Sequence, residues 1–318
     1  MPAPSSSTSP SPSPTAAAVP APVPAPLPAE GRGRGLGPVA LVISAGISVQ
    51  FGAALAVMIM PRAGAAGVVT LRLAAAAVVL LLLCRPKVRG YSRSDWGTVL
   101  AFGVAMAAMN GLFYQAIDRI PLGPAVTLEV LGPLALSVFV SRRLVNVLWA
   151  GLALGGVVLL SGHGGGGLGF GSLDPLGAAY ALGAGAMWAA YIVFSARTGR
   201  RFPQADGLAL AMAVAAVLSL PMGIVGAGSD LLVPSTLALG VGVAVLSSVL
   251  PYTLEMLALR RMPAPTFAIL MSLEPAIAAT AGFLVLNQAM SALDALAIAL
   301  VIAASMGAVR SQIRKQPA

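Results

Sequence analysis

Four ionisable side chains stand inside stretches of chain that are otherwise apolar: Arg72 in VTLRLAAAA, Glu129 in TLEVLGPLAL, Glu255 in LPYTLEMLAL and Glu274 in ILMSLEPAIA. Insertion scales put such a group at about +2.5 to +3.5 kcal/mol at the centre of a membrane helix, so it is kept only where it is turned inward, paired or set beside water. Function is therefore the first hypothesis for each. A guanidinium presents a planar fork of donors that matches a carboxylate. A carboxylate in turn receives an ammonium group or carries a proton. One arginine with Glu129 or Glu274 supplies the two opposite charges that a zwitterion needs, and an Arg72 to Glu129 ion pair is the structural alternative.

Two of these glutamates stand beside helix breakers. Gly132-Pro133 follows Glu129, and Pro275 directly follows Glu274. Proline in a helix removes one backbone donor and frees the carbonyl four residues earlier. Asn110 in the third apolar run falls at a depth similar to Arg72 and Glu129, counted at about 1.5 Å per residue. Trp188, Tyr191, Tyr114 and Tyr252 offer apolar walls with polar tips, Tyr252 with Pro251 before it, and Gln50 and Ser44 are candidate wall residues of the first run. Glu255 lies about one and a half helical turns from Arg260, which leaves it either snorkelling to that arginine or serving as a gate or mouth residue. Asp294 stands near the end of the last run.

Other chemistries find no support. The single histidine, His163, sits in the Gly-rich SGHGGGGLGFGS without a Cys or His partner, and the single cysteine, Cys84, allows no intramolecular disulfide. No residue set has metal-ligand spacing, no serine has a histidine within the apolar runs, and the Gly-rich stretch does not join a strand to a helix as a nucleotide loop does. Neither an enzyme nor a cofactor protein is expected. A passive channel stays an alternative, though the apolar, carboxylate-dotted halves lack rings of charge or a filter motif.

The elements that must hold these residues are membrane helices. Of 318 residues, 58% are hydrophobic and 9% charged, where a soluble domain carries about 25% charged residues. Ten apolar runs, each long enough to cross about 30 Å of hydrocarbon as a helix, fall at 38–59, 65–84, 97–117, 123–140, 145–161, 174–196, 206–226, 237–258, 265–286 and 291–309. Residues 1–36 are Pro/Ala/Ser-rich and read as a disordered tail without the pattern of a secretory signal. Residues 163–173 read as a Gly-rich external loop and 311–318 as a short C-terminal tail.

Charge placement orients these spans. Sixteen of the nineteen Lys and Arg residues fall in the tail and the alternate loops that share its side, among them Arg85, Arg93, Arg142, Arg143, Arg201, Arg260, Arg261 and Arg310. Only Arg62 and Arg119 lie in loops opposite, and Arg72 lies within a span. The positive-inside rule then puts both termini in the cytoplasm and accounts for the net charge of +9 without nucleic acid.

The chain also matches itself. At a constant offset of 142, AIDRIPLGPAVTLEVLGPLAL lies over ALRRMPAPTFAILMSLEPAIA, so Pro121 meets Pro263 and Gly132-Pro133 meets Glu274-Pro275. GPVALVISAGISVQF from Gly37 likewise resembles DPLGAAYALGAGAMW from Asp174. Five spans per half is an odd number, so the second half enters the membrane from the other face. The expected fold is thus an all-α polytopic membrane protein of ten helices in two inverted five-helix repeats, 37–162 and 174–310. Inverted repeats with paired helix interruptions are the sequence pattern of secondary carriers whose site opens alternately to each side. Small-xxx-small pairs such as Gly151 and Gly155 are expected to let helix backbones approach.

Several stretches together resemble the drug/metabolite transporter superfamily with EamA-type repeats, and most closely its threonine/homoserine exporter (RhtA-type) members. They are TLRLA around Arg72, GVAMAAMNGLFYQAIDRIPLGPAVTLEVLGPLAL, FVSRR, LGAGAMWAAYIV, LSSVLPYTLEMLALRRMPAPTFAILMSLEPAIAA and AASMG, spread over 38–308. The resemblance implies a carrier in the bacterial cytoplasmic (inner) membrane that exports small amino acids, with its cavity lined by the first, third, fourth, sixth, eighth and ninth spans. Substrate binding is then expected at Arg72, Asn110, Glu129, Glu274, Tyr252, Trp188 and Gln50. Proton coupling is expected at Glu274 and Glu129, a gate or mouth at Glu255, and helix breaks at Pro133 and Pro275. The implied partners are an amino acid, protons and the lipid bilayer, with no cofactor, no metal and no nucleic acid, in a monomer or homodimer. A drug or nucleoside exporter is the alternative within transport, and a membrane scaffold or sensor the alternative outside it. Where those exporters usually carry Gly-Glu after the ninth span, this chain has Asn287-Gln288, and its long Pro-rich tail is unlike their short start.

Overall fold

A chain surrounded by hydrocarbon must satisfy its own backbone donors and acceptors, which leaves an α-helix as the local solution for each apolar run. The computed structural model describes residues 37–141, 144–161, 173–202, 206–259, 261–262 and 264–313, and among them every element is helical. The tail at 1–36, His163 with the Gly-rich loop, and Arg260 lie outside the described residues. Twelve α-helices follow in order: α1 Gly37–Cys84, α2 Arg93–Ile117, α3 Leu122–Glu129, α4 Leu131–Ser141, α5 Leu144–Ser161, α6 Pro175–Gly199, α7 Asp206–Ala227, α8 Pro234–Ala244, α9 Leu250–Leu259, α10 Ala264–Met271, α11 Glu274–Leu286 and α12 Ala292–Ile313. A 3₁₀ turn, Gly228–Leu232, joins α7 to α8, and a π-helical turn, Val245–Val249, joins α8 to α9.

Seven helical stretches among the described residues are long and apolar enough to cross a membrane. This differs from the ten expected runs partly because the first two share one 48-residue helical stretch, α1, which breaks at Gly64 with φ 62° and ψ 166°. That backbone conformation is one only glycine adopts freely. The fourth run is divided instead: α3 ends at Glu129 and α4 begins at Leu131, just before Pro133. The ninth is divided as well, α10 ending at Met271 and α11 beginning at Glu274-Pro275. Pro133 and Pro275 therefore lie in the first turns of new helices rather than kinking continuous ones, since a missing N–H does no harm where helix donors are unpaired anyway.

Helix starts are encoded locally. Ser92 and Asp95 form a reciprocal capping box at α2, and Ser291 with Asp294 repeats that bonding before α12. Asp174 caps α6 by accepting from the Leu176 N–H, with Pro175 in the first turn. That backbone donor, helped by the Arg119 guanidinium, holds the Asp174 carboxyl below the ordinary value of 3.8.

Packing pairs α2 with α6, α1 with α7, and α5 with α12 most extensively. The antiparallel α2 and α6 are tied at both ends, Arg201 to Asp95 at 3.2 Å and Arg119 to Asp174 at 3.3 Å. Such exposed pairs add little energy but fix register. Tyr114, Phe102, Leu73, Leu122 and Leu128 form the deepest part of the core, while Val225, Leu83 and Leu82 stand 88%, 73% and 68% exposed on the outer surface, as lipid-facing residues do. The α4–α6 crossing is made by glycine: a Cβ on Gly132 would overlap the Gly185 carbonyl and lie 2.8 Å from its Cα. Gly151 and Gly155 make no such contact, because both face outward with nothing within 4 Å of an added Cβ. One residue on, about 100° around the helix, Gly156 is the glycine that meets α12, at Ala297 and Val301.

Candidate functional site

The break between α3 and α4, that between α10 and α11, and the π-turn before α9 surround one interior cavity of about 470 Å³. Into it come Gln50 and Arg72 from α1, Asn110 from α2, Glu129 from α3, Pro133 from α4, Trp188 from α6, Glu255 from α9 and Glu274 from α11. Eight of the expected site residues, drawn from positions as far apart as 50 and 274, thus share one space. Pro275 stands behind Glu274, buried, and does not line the cavity. Tyr252 lies on α9, but its side chain is outside the described residues. Ser44 is exposed and away from the cavity; the serine of α1 that matters is Ser48, one turn on, whose hydroxyl donates to the Leu246 carbonyl at 2.6 Å.

Arg72 does not pair with Glu129. Its Nη1 donates to the Tyr114 hydroxyl at 3.1 Å and its Nη2 to the Ser247 carbonyl at 3.2 Å, while the guanidinium carbon lies 5.5 Å from the Tyr114 ring centre. The two ion pairs among the described residues are the surface pairs of α2 and α6. Tyr114, 0% exposed, is therefore the support behind Arg72 and not a cavity wall. The Ser247 carbonyl is available for a simple reason. Its helical partner would be the N–H four residues on, and residue 251 is proline, which has none. The π-turn at Val245–Val249 widens the same break and turns two successive carbonyls, of Leu246 and Ser247, toward α1. π-bulges of this kind recur at functional sites. The signal in the sequence was LSSVLP, two serines ahead of a proline in an apolar run.

Glu274 opens α11, where the partial positive charge of a helix N-terminus favours a carboxylate. It is 8% exposed. Asn110 uses its amide nitrogen on its own helix, donating to the Met106 carbonyl at 2.9 Å. Among the described residues, the Gln50 Oε1 and the Arg72 Nε are buried without a hydrogen-bond partner. Aromatic and apolar groups, Phe113, Trp188, Tyr191, Phe267 and Met271, complete the wall, and α12, which sequence reasoning left out, contributes Ser305, Ala308 and Val309. Residues that line the cavity at Glu255, Phe267 and Val309 carry it toward the end of the bundle where α9 and α12 finish and α10 begins.

An all-helical bundle with a lipid-facing surface and a charged, roomy interior cavity is a multi-pass membrane protein built around a small-molecule site. The chain belongs to the EamA-like transporter family, and is a transporter rather than an enzyme. Residues 175–310 match that family. The chain is 42% identical over 280 residues to the threonine/homoserine exporter RhtA of Salmonella typhimurium strain SL1344, covering 88% of this chain and 93% of that protein. It is 40% identical over 279 residues to RhtA of Escherichia coli K12, with the same coverage. A solved crystal structure superposes with a TM-score of 0.57 over 88% of this chain and 99% of its own, at 20% identity, a likeness of fold alone.

Proposed function

We propose that this chain exports small zwitterionic amino acids, threonine and homoserine first among them, across the bacterial cytoplasmic (inner) membrane by alternating access in exchange for protons. One observation carries the reading: Arg72 and three glutamates share one cavity inside an otherwise apolar bundle, in a chain 42% identical to threonine/homoserine exporters. Arg72 receives the substrate carboxylate, Glu129 or Glu274 the ammonium, and Glu274 with Glu129 carries the exchanged proton. Gln50, Asn110, Trp188 and Tyr252 complete the pocket, and Glu255 stands at its mouth.

The reading includes ten crossings in two inverted repeats, both termini in the cytoplasm, and a monomer or homodimer. One feature supports the repeats. The helix breaks fall at Val130 and at Ser272-Leu273, which is the offset of 142 seen in the sequence. By the positive-inside rule the end of the bundle toward which Glu255, Phe267 and Val309 extend the cavity is read as the cytoplasmic one, the side from which an exporter loads. A bulkier drug or nucleoside substrate has one feature in its favour, the aromatic wall of Phe113, Trp188, Tyr191 and Phe267. Cells expressing the chain and fed a threonine-containing dipeptide separate the readings. Faster appearance of external threonine than in cells with an empty vector is expected; no difference rejects the amino-acid reading.

A further inference from the structure

The hydrogen-bonding groups of the cavity are unbalanced. Its one cation among the described residues, Arg72, gives one N–H from each Nη to Tyr114 and Ser247, which leaves three of its five donors. Asn110 gives one of its two amide N–H groups to Met106, which leaves its Oδ1 and one N–H to offer, and among the described residues Gln50 Oε1 is a buried acceptor without a partner in a residue 3% exposed. Glu129, Glu255 and Glu274 add three carboxyls from three different helices, none of them ion-paired among the described residues. A zwitterion bound between Arg72 and one carboxylate leaves two further carboxyls and the Gln50 acceptor to be satisfied, and in a low-dielectric cavity unsatisfied groups of that kind are costly.

We propose that the cavity also accepts short α,ω-diamino acids, with the second ammonium held by Glu255. The inference rests on the amino-acid reading above and extends its substrate class. The chemistry is specific: 2,4-diaminobutyrate has the skeleton of homoserine with an ammonium in place of the γ-hydroxyl, so its α-groups occupy the same partners while its side chain brings donors to the acceptor-rich wall. Glu255 lines the same cavity from α9, a different helix from those that carry Arg72, Glu129 and Glu274, and is the carboxylate left for that second group.

The test is competition for labelled threonine uptake into everted membrane vesicles, with 2,4-diaminobutyrate set against 2-aminobutyrate, which lacks the γ-ammonium. On the wild-type carrier the diamino acid should inhibit at a concentration about tenfold lower than its neutral analogue, the scale of one charge-assisted hydrogen bond. In Glu255→Gln the ratio of the two inhibition constants, read on whatever threonine uptake persists, should fall to about twofold or less, and Glu255→Asp should restore it. Wild-type carrier that takes up threonine but does not distinguish the two inhibitors overturns the inference and leaves the proposed function standing. The same ratio in Glu255→Gln as in wild type also overturns it. Wild-type carrier without threonine or homoserine uptake rejects the proposed function; the diamino acid is then judged by its thermal shift on the purified protein, where a shift no larger than that from 2-aminobutyrate overturns the inference.

Discussion

The guanidinium of Arg72 donates to the carbonyl of Ser247 at 3.2 Å, across 175 residues of sequence, and Pro251 is the reason that carbonyl is free to accept. A helix break on one element thus positions a charge on another. With the Tyr114 hydroxyl as second acceptor, the fork is held at two points where Arg72 lines the cavity.

Lysine keeps the charge at position 72 but cannot reach Tyr114 and Ser247 together. Arg72→Lys is expected to raise the KM for threonine about tenfold or more, the scale of a lost charge-assisted pair, and Arg72→Ala to abolish export while the protein still reaches the membrane. Transport kinetics beside quantitative immunoblots of the membrane fraction check both. Normal export by Arg72→Ala contradicts the assignment of the carboxylate clamp.

The α4–α6 crossing admits no side chain at position 132. Gly132→Ala forces a methyl into the Gly185 backbone and should destabilise the fold by about 3 kcal/mol or more, the upper range for overpacking, seen as loss of the monodisperse detergent-solubilised peak. Gly151→Ala, where nothing lies within 4 Å, should leave that peak unchanged.

That contrast marks what the sequence made legible. Charged and amide side chains in apolar runs are few, so Arg72, Asn110, Glu129, Glu255 and Glu274 could be found by type and depth alone, and all five line the cavity. Faces were harder. A helix apolar all round carries no periodic signal of which side meets protein and which meets lipid, so Ser44 and the Gly151/Gly155 pair were assigned to the wrong faces. Partners carried through the backbone were hidden too. Ser247 acts through its carbonyl, and no side-chain pattern announces that. The breaks at Gly64, Pro133 and Pro275 were readable as residues, but whether a breaker kinks a helix or starts a new one depends on what packs against it.

Gln288 caps α3 from a distant loop, its Oε1 accepting from the Leu122 N–H at 3.0 Å. Leu122 is 0% exposed, and stranding a buried donor costs about 1–3 kcal/mol. Gln288→Ala should therefore lower the melting temperature of the solubilised protein. Gln288→Glu, which keeps an acceptor oxygen near the positive end of α3, should retain it. Equal melting temperatures for all three proteins would show that the cap contributes nothing.

Asp174 gives a pH signature at the surface. Its carboxyl is held below the ordinary value of 3.8, first by the Leu176 N–H and then by Arg119. A depressed folded value means that the ionised form stabilises the fold above the unfolded value, and that this stabilisation is lost as pH falls through the folded one. The melting temperature of wild type should exceed that of Asp174→Asn at neutral pH, and the difference should close only below about pH 4, the unfolded reference. A difference that persists unchanged into that acid range would contradict the ionic cap.

In the proposed exchange a buried carboxyl couples proton movement to amino-acid movement. Uptake of labelled threonine and homoserine into inside-out vesicles, with and without an imposed pH gradient, tests it in wild type and Glu274→Gln. Gradient-driven uptake is expected of wild type and none of the variant, which should retain at most uptake that ignores the gradient. Gradient-driven uptake by Glu274→Gln equal to wild type would contradict it.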